Sequence, residues 1–224
     1  MKKSVSFGIC SLCNERISKL AMARHLASCS PSHDSRSGKA GVLFHLRVEG
    51  KELADFWLDL EIKGDASLWD LDDLLRRVWL ECCGHMSAFK INSLNYVYAV
   101  DGEFGSNLDE RDMNVQISNV LTSGQRFTYE YDFGSTTQLM LRVLGMRKGI
   151  ITDKAETRLL ARNEPQVWVC ATCGGPATVV CAFCIYDGNP FSCEEHVPEH
   201  ACGEDEGFLP VVNSPRMGVC GYSG

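Results

Sequence analysis

The chemistry in this chain is carried by thiols and imidazoles at close, regular spacing. Between Cys170 and Cys202 they come in four pairs: Cys170-x2-Cys173, Cys181-x2-Cys184, Cys193-x2-His196 and His200-x-Cys202. Thiolate and imidazole both bind Zn²⁺ at about 2.0–2.3 Å, and a two-residue spacer lets both sulfurs of a C-x2-C turn reach one ion. Eight such ligands suffice for two tetrahedral sites, and Gly174, Gly175 and Pro176 supply turn residues just after the first pair. The competing chemistry is disulfide formation. It is disfavoured because the ligand histidines interleave with the cysteines and Met1-Lys2-Lys3 leads into polar sequence, not a secretory signal.

A third set lies near the N-terminus. Cys10-x2-Cys13 is followed, after eleven residues, by His25-x3-Cys29. The stretch from about Ser18 is rich in helix formers, and on a helix His25 and Cys29 stand four apart on one face, where they meet a metal held by the cysteine turn. Pro31 is expected to end that helix. Together the three sets predict about three structural zinc ions per chain. His33 has no partner at ligand spacing, and Cys82, Cys83 and Cys220 read as buried or incidental thiols.

The elements that must position these groups follow from periodicity. Val42, Phe44, Leu46 and Val48 alternate with other residues, as do Phe56, Leu58, Leu60 and Ile62, which predicts an antiparallel strand pair. Ser67 and Asp70 form a capping-box-like start. Leu68, Leu71, Leu74, Leu75, Val78 and Cys82 then recur at helical spacing as far as Gly84, with Asp72, Asp73, Arg76 and Arg77 expected to face water. Strands are expected near 88–92, 95–100, 126–132, 137–145 and 157–161, with a charged loop over 101–112 and a helical turn near 115–121. The fold class is α+β: a mainly antiparallel sheet with a helix packed on one face, flanked by two small zinc-binding modules. Residues 1–30 would be the first module, 31–40 a linker, 41–164 the α+β domain, 165–203 the second module and 204–224 a docked, extended tail. Trp57, Trp69, Trp79 and Trp168 are assigned to packing.

Three stretches resemble known families. Cys10 to Cys29 resembles the Cys2HisCys zinc fingers. Cys170 to Cys202 resembles the AN1 zinc finger, in which two zincs are held in a cross-brace. That resemblance implies Cys170, Cys173, Cys193 and His196 on one ion and Cys181, Cys184, His200 and Cys202 on the other. The loops depart from the family, with eight residues between Cys184 and Cys193 and three between His196 and His200, so a sequential pairing stays open.

The central stretch resembles the Ri-plasmid open-reading-frame-three family, also described as TnpR-type passenger proteins of an insertion element. The resemblance rests on Leu68-Trp69-Asp70-Leu71-Asp72-Asp73-Leu74-Leu75, on Gly84-His85-Met86-Ser87-Ala88-Phe89-Lys90-Ile91 and on Tyr129-Glu130-Tyr131-Asp132-Phe133-Gly134. It implies an α+β fold and an association with plasmids and transposons, and it names no reaction. Where members often carry a second histidine this chain has Ser87, and where they carry Asp, Trp and His it has Ser135, Thr137 and Leu139. His85 and Asp132 remain as family-site residues, beside Glu130. Such a set suits acid/base work or a metal, yet a loop histidine, a strand acid and a turn acid bonded to nearby amides is the simpler reading. No catalytic residue is assigned.

Charge divides the chain. The net charge is −7 overall, but residues 1–40 carry seven Lys/Arg against two Asp/Glu, while residues 165–224 carry one against seven. A polyanion such as nucleic acid would therefore be met by residues 1–40 or not at all. No apolar run is long enough for a membrane helix, and a cytoplasmic protein is expected. The functional expectation is a non-catalytic, zinc-binding interaction protein with a protein partner. Nucleic-acid binding through the basic arm is the alternative, and an enzyme around His85 and Asp132 is a second one.

Overall fold

The chain opens with two short strands, β1 (Phe7–Cys10) and β2 (Arg16–Ser18), and the helix α1 (Lys19–Ser32). The computed structural model describes residues 5–98, 109–152, 154–186, 188–200, 202 and 207–224. These divide into a first unit, Met1–Leu75 with Met86–Glu164, and a second, Arg76–His85 with Pro165–Gly224.

In the first unit the alternating segments become β3 (Gly41–Gly50) and β4 (Trp57–Lys63), paired antiparallel with Phe44 opposite Ile62, Leu46 opposite Leu60 and Val48 opposite Leu58. Helix α2 (Leu68–Leu75) comes next, then β5 (Ser87–Ile91), β6 (Leu94–Val97), β7 (Glu110–Asp112), the turn of helix α3 (Ile117–Val120), β8 (Arg126–Tyr131), β9 (Thr137–Gly149) and β10 (Thr157–Asn163). One ten-stranded sheet results, in the order β2-β1-β10-β4-β3-β9-β8-β5-β6-β7. Its pairs are antiparallel except β6 with β7. The architecture is thus α+β. A charged loop was expected over 101–112 and a strand as far as residue 100. Of these positions 99–108 lie outside the described residues, and Glu110–Asp112 pair with β6 as β7.

Strand β4 keeps the alternation read from its sequence, yet it is buried on both faces, acids included. Leu58, Leu60 and Ile62 occupy one face. On the other, Trp57 packs with Met22 and Leu26 of α1 and with Cys10, Leu160 and Ala161. The acids of that second face are paired: Asp59 accepts from Arg47 at 2.6 Å and lies 2.9 Å from His45 Nε2, and Glu61 accepts from Arg147 at 2.6 Å. Arg147 also donates to Asp34 at 2.7 Å, and this guanidinium holds the Asp34 carboxyl below its ordinary pKa. Gly8 sits where a Cβ would run into the Trp57 ring.

Three local expectations are corrected. Pro31 lies inside α1, which ends one residue later, so the proline costs one N–H donor in the last turn and only Ser32 follows it in the helix. The helix begun at Leu68 stops at Leu75, and Arg76–Leu80 form a π-helical turn with Glu81 N–H donating to Arg76 O at 2.9 Å. Asp72 and Arg76, both expected to face water, are buried, and Asp72 accepts from Ser87 Oγ at 2.6 Å and Tyr129 Oη at 2.7 Å. Two hydroxyl donors make the acid's burial tolerable. The capping box is present as expected, with Ser67 N–H donating to Asp70 Oδ2 and Asp70 N–H to Ser67 Oγ.

The second unit contains a small sheet, β11 (Val179–Cys181) between β12 (Phe191–Ser192) and β13 (Phe208–Pro210), and a 3-10 turn at Glu194–Glu199. Trp168 stacks on Phe191 with centroids 4.2 Å apart. Beyond β13 the chain turns repeatedly, and Ser214, Arg216, Met217 and Tyr222 are buried.

Candidate metal centres

The turn at Cys10 shows how the sequence sets up a ligand pair. Cys10 N–H donates to Glu15 O at 2.9 Å and Asn14 N–H to Cys10 O at 2.8 Å, with Asn14 in the left-handed region at φ 62°. This turn leaves the two sulfurs on its inner side. Helix α1 supplies the rest, bringing His25 Nε2 to 3.4 Å from Cys13 Sγ and Cys29 Sγ to 3.9 Å from Cys10 Sγ. The Glu15 carboxylate lies 3.8 Å from His25 Nδ1, on the far side of the ring from the thiols. An acid there orients the imidazole of a metal-bound histidine.

At Cys170 the same turn recurs. Cys170 N–H donates to Gly175 O at 2.7 Å and Gly174 N–H to Cys170 O at 2.9 Å, with Gly174 at φ 70°. Cys170 and Cys173 meet Cys193 and His196, while Cys181 and Cys184 meet His200 and Cys202; within each quartet the candidate ligand atoms lie within 4.8 Å of one another. This is the crossed arrangement that the AN1 resemblance implies, not the sequential one. Cys173 and Cys193 Sγ are 3.9 Å apart, Cys181 and Cys202 Sγ 3.7 Å, and Cys193 Sγ lies 3.0 Å from His196 Nδ1.

These spacings discriminate between the two chemistries the cysteines allow. A disulfide needs about 2.05 Å between sulfurs, and none of the twelve cysteines forms one. A tetrahedron with Zn–S bonds of about 2.3 Å has an S–S edge of about 3.8 Å, close to the separations found. His200 adds an independent sign, since its Nε2 is buried with no hydrogen-bond partner among the described residues. An ion within the quartet would occupy that lone pair. The residues present therefore fit zinc in all three predicted sets.

The thiols are perturbed as crowded sulfurs must be. Burial, then the neighbouring Cys13 and Cys10 thiols, push Cys29 up to about 12, and burial together with Cys181 pushes Cys184 up to about 11. Backbone N–H groups of Cys173 and Cys193 draw Cys170 down to about 6.

The structure also assembles a group that spacing alone misses. Cys82, Cys83, His85 and Cys220 bring their ligand atoms within 4.8 Å of one another, and His85 Nε2 is 3.2 Å from Cys220 Sγ. Its signal was the run Cys82-Cys83-Gly84-His85, whose fourth partner lies 135 residues beyond the histidine. Of the other family-site residues, Asp132 donates its N–H to Met86 O at 2.9 Å, and Glu130 stands opposite Ala88 where β8 pairs with β5. Asp132, at φ 63°, accepts at Oδ1 from the N–H groups of Gly134 and Ser135, and Glu130 accepts from Gln138 at 2.8 Å.

An α+β sheet domain carrying Cys/His quartets defines the general class. The chain belongs to the family of plasmid pRiA4b ORF-3-like proteins, whose profile matches residues 43–165. The match leaves both terminal finger regions outside it. Among solved structures the chain is similar to the crystal structure of MM3350, a protein of unknown function from Methanosarcina mazei Go1, with 18% identity over 60% of this chain and 75% of that one and a TM-score of 0.45. No curated protein matches. Among the described residues no helix is long and apolar enough to cross a membrane.

Proposed function

We propose that this protein is a non-catalytic, zinc-binding interaction protein, with structural zincs at both ends of a plasmid ORF-family domain and a protein as its partner. The observation that carries this reading is the completeness of the quartets. Each offers four protein ligands, and a tetrahedral ion so held has no position left for water or substrate, which a catalytic zinc requires.

The partner side of the proposal rests on exposure. In the second unit Val167 is 84% and Tyr186 75% exposed, and Val169 and Phe183 are also exposed. Exposed large apolar and aromatic groups on a metal-ordered frame suit docking to a protein. The basic arm lends less to nucleic-acid binding than its charge suggests. Arg16 pairs with Glu164 at 2.6 Å and Lys19 with Glu49 at 2.7 Å, so part of the arm's charge is spent within the protein.

X-ray absorption at the zinc edge of the full chain tests the non-catalytic part. A shell of sulfur and imidazole nitrogen alone is expected, and a bound water that an added thiol displaces would contradict it. For the partner, a protein captured by the wild type should be lost with Val167→Asp/Tyr186→Asp while zinc content is unchanged. Equal capture by both would remove this surface from the account.

A further inference from the structure

We infer that Cys82, Cys83, His85 and Cys220 form a fourth zinc site, which fastens the C-terminal turns to the loop after the π-helical turn. All four residues belong to the second unit. Three thiols and one imidazole nitrogen within 4.8 Å of one another make a complete tetrahedral donor set. Cys82, Cys83 and His85 lie within the stretch the family profile matches, Cys220 lies outside it, and no finger resemblance includes the set.

Both halves of the site are built by hydrogen bonds that do not involve the ligands' own sulfurs. On one side Arg76 donates to His85 O at 2.7 Å and to Glu81 Oε2 at 2.9 Å, and Glu81 Oε1 accepts from Gly84 N–H at 2.6 Å. Gly84 is at φ 71°, the left-handed turn that folds His85 back toward the two cysteines. On the other side Ser214 Oγ donates to Trp79 O at 2.6 Å and accepts from Arg216 N–H at 2.9 Å, and turns closed by Val219 N–H to Arg216 O and Tyr222 N–H to Val219 O lead through Cys220.

A second observation points to an anionic centre. The Arg216 side chain is fully buried, and its Nη2 lies 3.4 Å from Cys82 Sγ. A guanidinium keeps its charge, so its contact with Cys82 suits an anionic centre there. Three thiolates and Zn²⁺ leave one negative charge, which the guanidinium offsets. A site joining Cys83 to Cys220 also closes a loop through most of the chain, the situation in which a metal clip constrains the unfolded chain most.

The inference depends on the proposed reading of the terminal quartets only for the choice of metal, and two measurements separate them. Full-length protein purified without chelator should lose one zinc ion on Cys220→Ser. Cys220 is exposed, so the exchange removes a ligand without disturbing a packed side chain. In the wild type, mass mapping after maleimide treatment should find Cys83 and Cys220, both exposed, protected until chelator is added. Cys220→Ser should also quicken hydrogen exchange in the C-terminal peptide.

An unchanged zinc count in Cys220→Ser overturns the site, as does ready labelling of Cys83 and Cys220 in protein whose Cys10 and Cys170 stay protected. A disulfide from Cys220 to Cys82 or Cys83 would do so too. Protection of Cys83 and Cys220 with Cys10 and Cys170 labelled would support this site while removing the terminal centres.

Discussion

The cysteine turns at Cys10 and Cys170 share their hydrogen bonds, their left-handed fifth residue and their ligand spacing, but they rest on different foundations. The first closes on β1, and its helix packs Met22 and Leu26 onto Trp57 of the main sheet. From Cys170 to Cys202, by contrast, Val180 and Pro190 are the buried apolar residues other than cysteine among those described. One buried valine contributes about 1.5–3 kcal/mol, whereas fixing each residue's backbone costs about 1–2 kcal/mol. On the proposed reading, the same knuckle is an accessory to a core at one end and the main source of order at the other, where a structural zinc would contribute about 10–16 kcal/mol.

The largest effect that would break this comparison is removal of metal. Chelation should release residues 170–202 to fast hydrogen exchange while β3, β4 and β9 keep their protection. Loss of protection across the whole sheet would mean that the N-terminal centre carries as much as the C-terminal one. Next in size, Cys193→Ser should unfold its module locally, whereas Cys29→Ser should leave α1 helical on its apolar face. Near-UV circular dichroism and proteolysis of the two variants would show whether the asymmetry holds.

Met22→Ala sharpens the contrast from the other side. Removing a fully buried methionine should destabilise the first unit by about 2–5 kcal/mol, read from denaturant unfolding with zinc present, and leave zinc content at Cys170–Cys202 untouched. A smaller effect is expected from pH. Arg147 lowers the Asp34 pKa in the folded protein, so this group adds stability above the ordinary carboxylate pKa, and the contribution disappears as pH falls through the depressed value. Asp34→Asn should flatten the acid limb of the stability curve between those two points. An unaltered acid limb would separate the linker from the sheet's ion-pair network.

How much of this was legible in the sequence depends on how far apart the cooperating residues lie. Ligands within about thirty residues announce themselves by spacing, which marked the N-terminal quartet and the eight C-terminal ligands but not how those eight divide between two ions. Cys82, Cys83 and His85 were not marked, because their partner Cys220 lies in a turn-rich tail with no periodicity. Strand positions followed from alternation. The burial of Asp72 did not, because its hydroxyl donors Ser87 and Tyr129 come from β5 and β8, and helical spacing by itself counts an acid as solvent-facing. The π-helical turn escaped for a related reason: its bond from Glu81 to Arg76 shifts the helical register without any glycine or proline to mark the place.

Native mass spectrometry of the full chain, purified without chelator, bears most directly on the claim that cysteine and histidine at both ends are committed to holding ions. A folded species carrying four zinc ions is expected, matching the four quartets, with stepwise loss of those ions as the charge distribution shifts toward that of an unfolded chain. A folded species of bare polypeptide mass, unchanged in charge distribution by added zinc or by chelator, would contradict it.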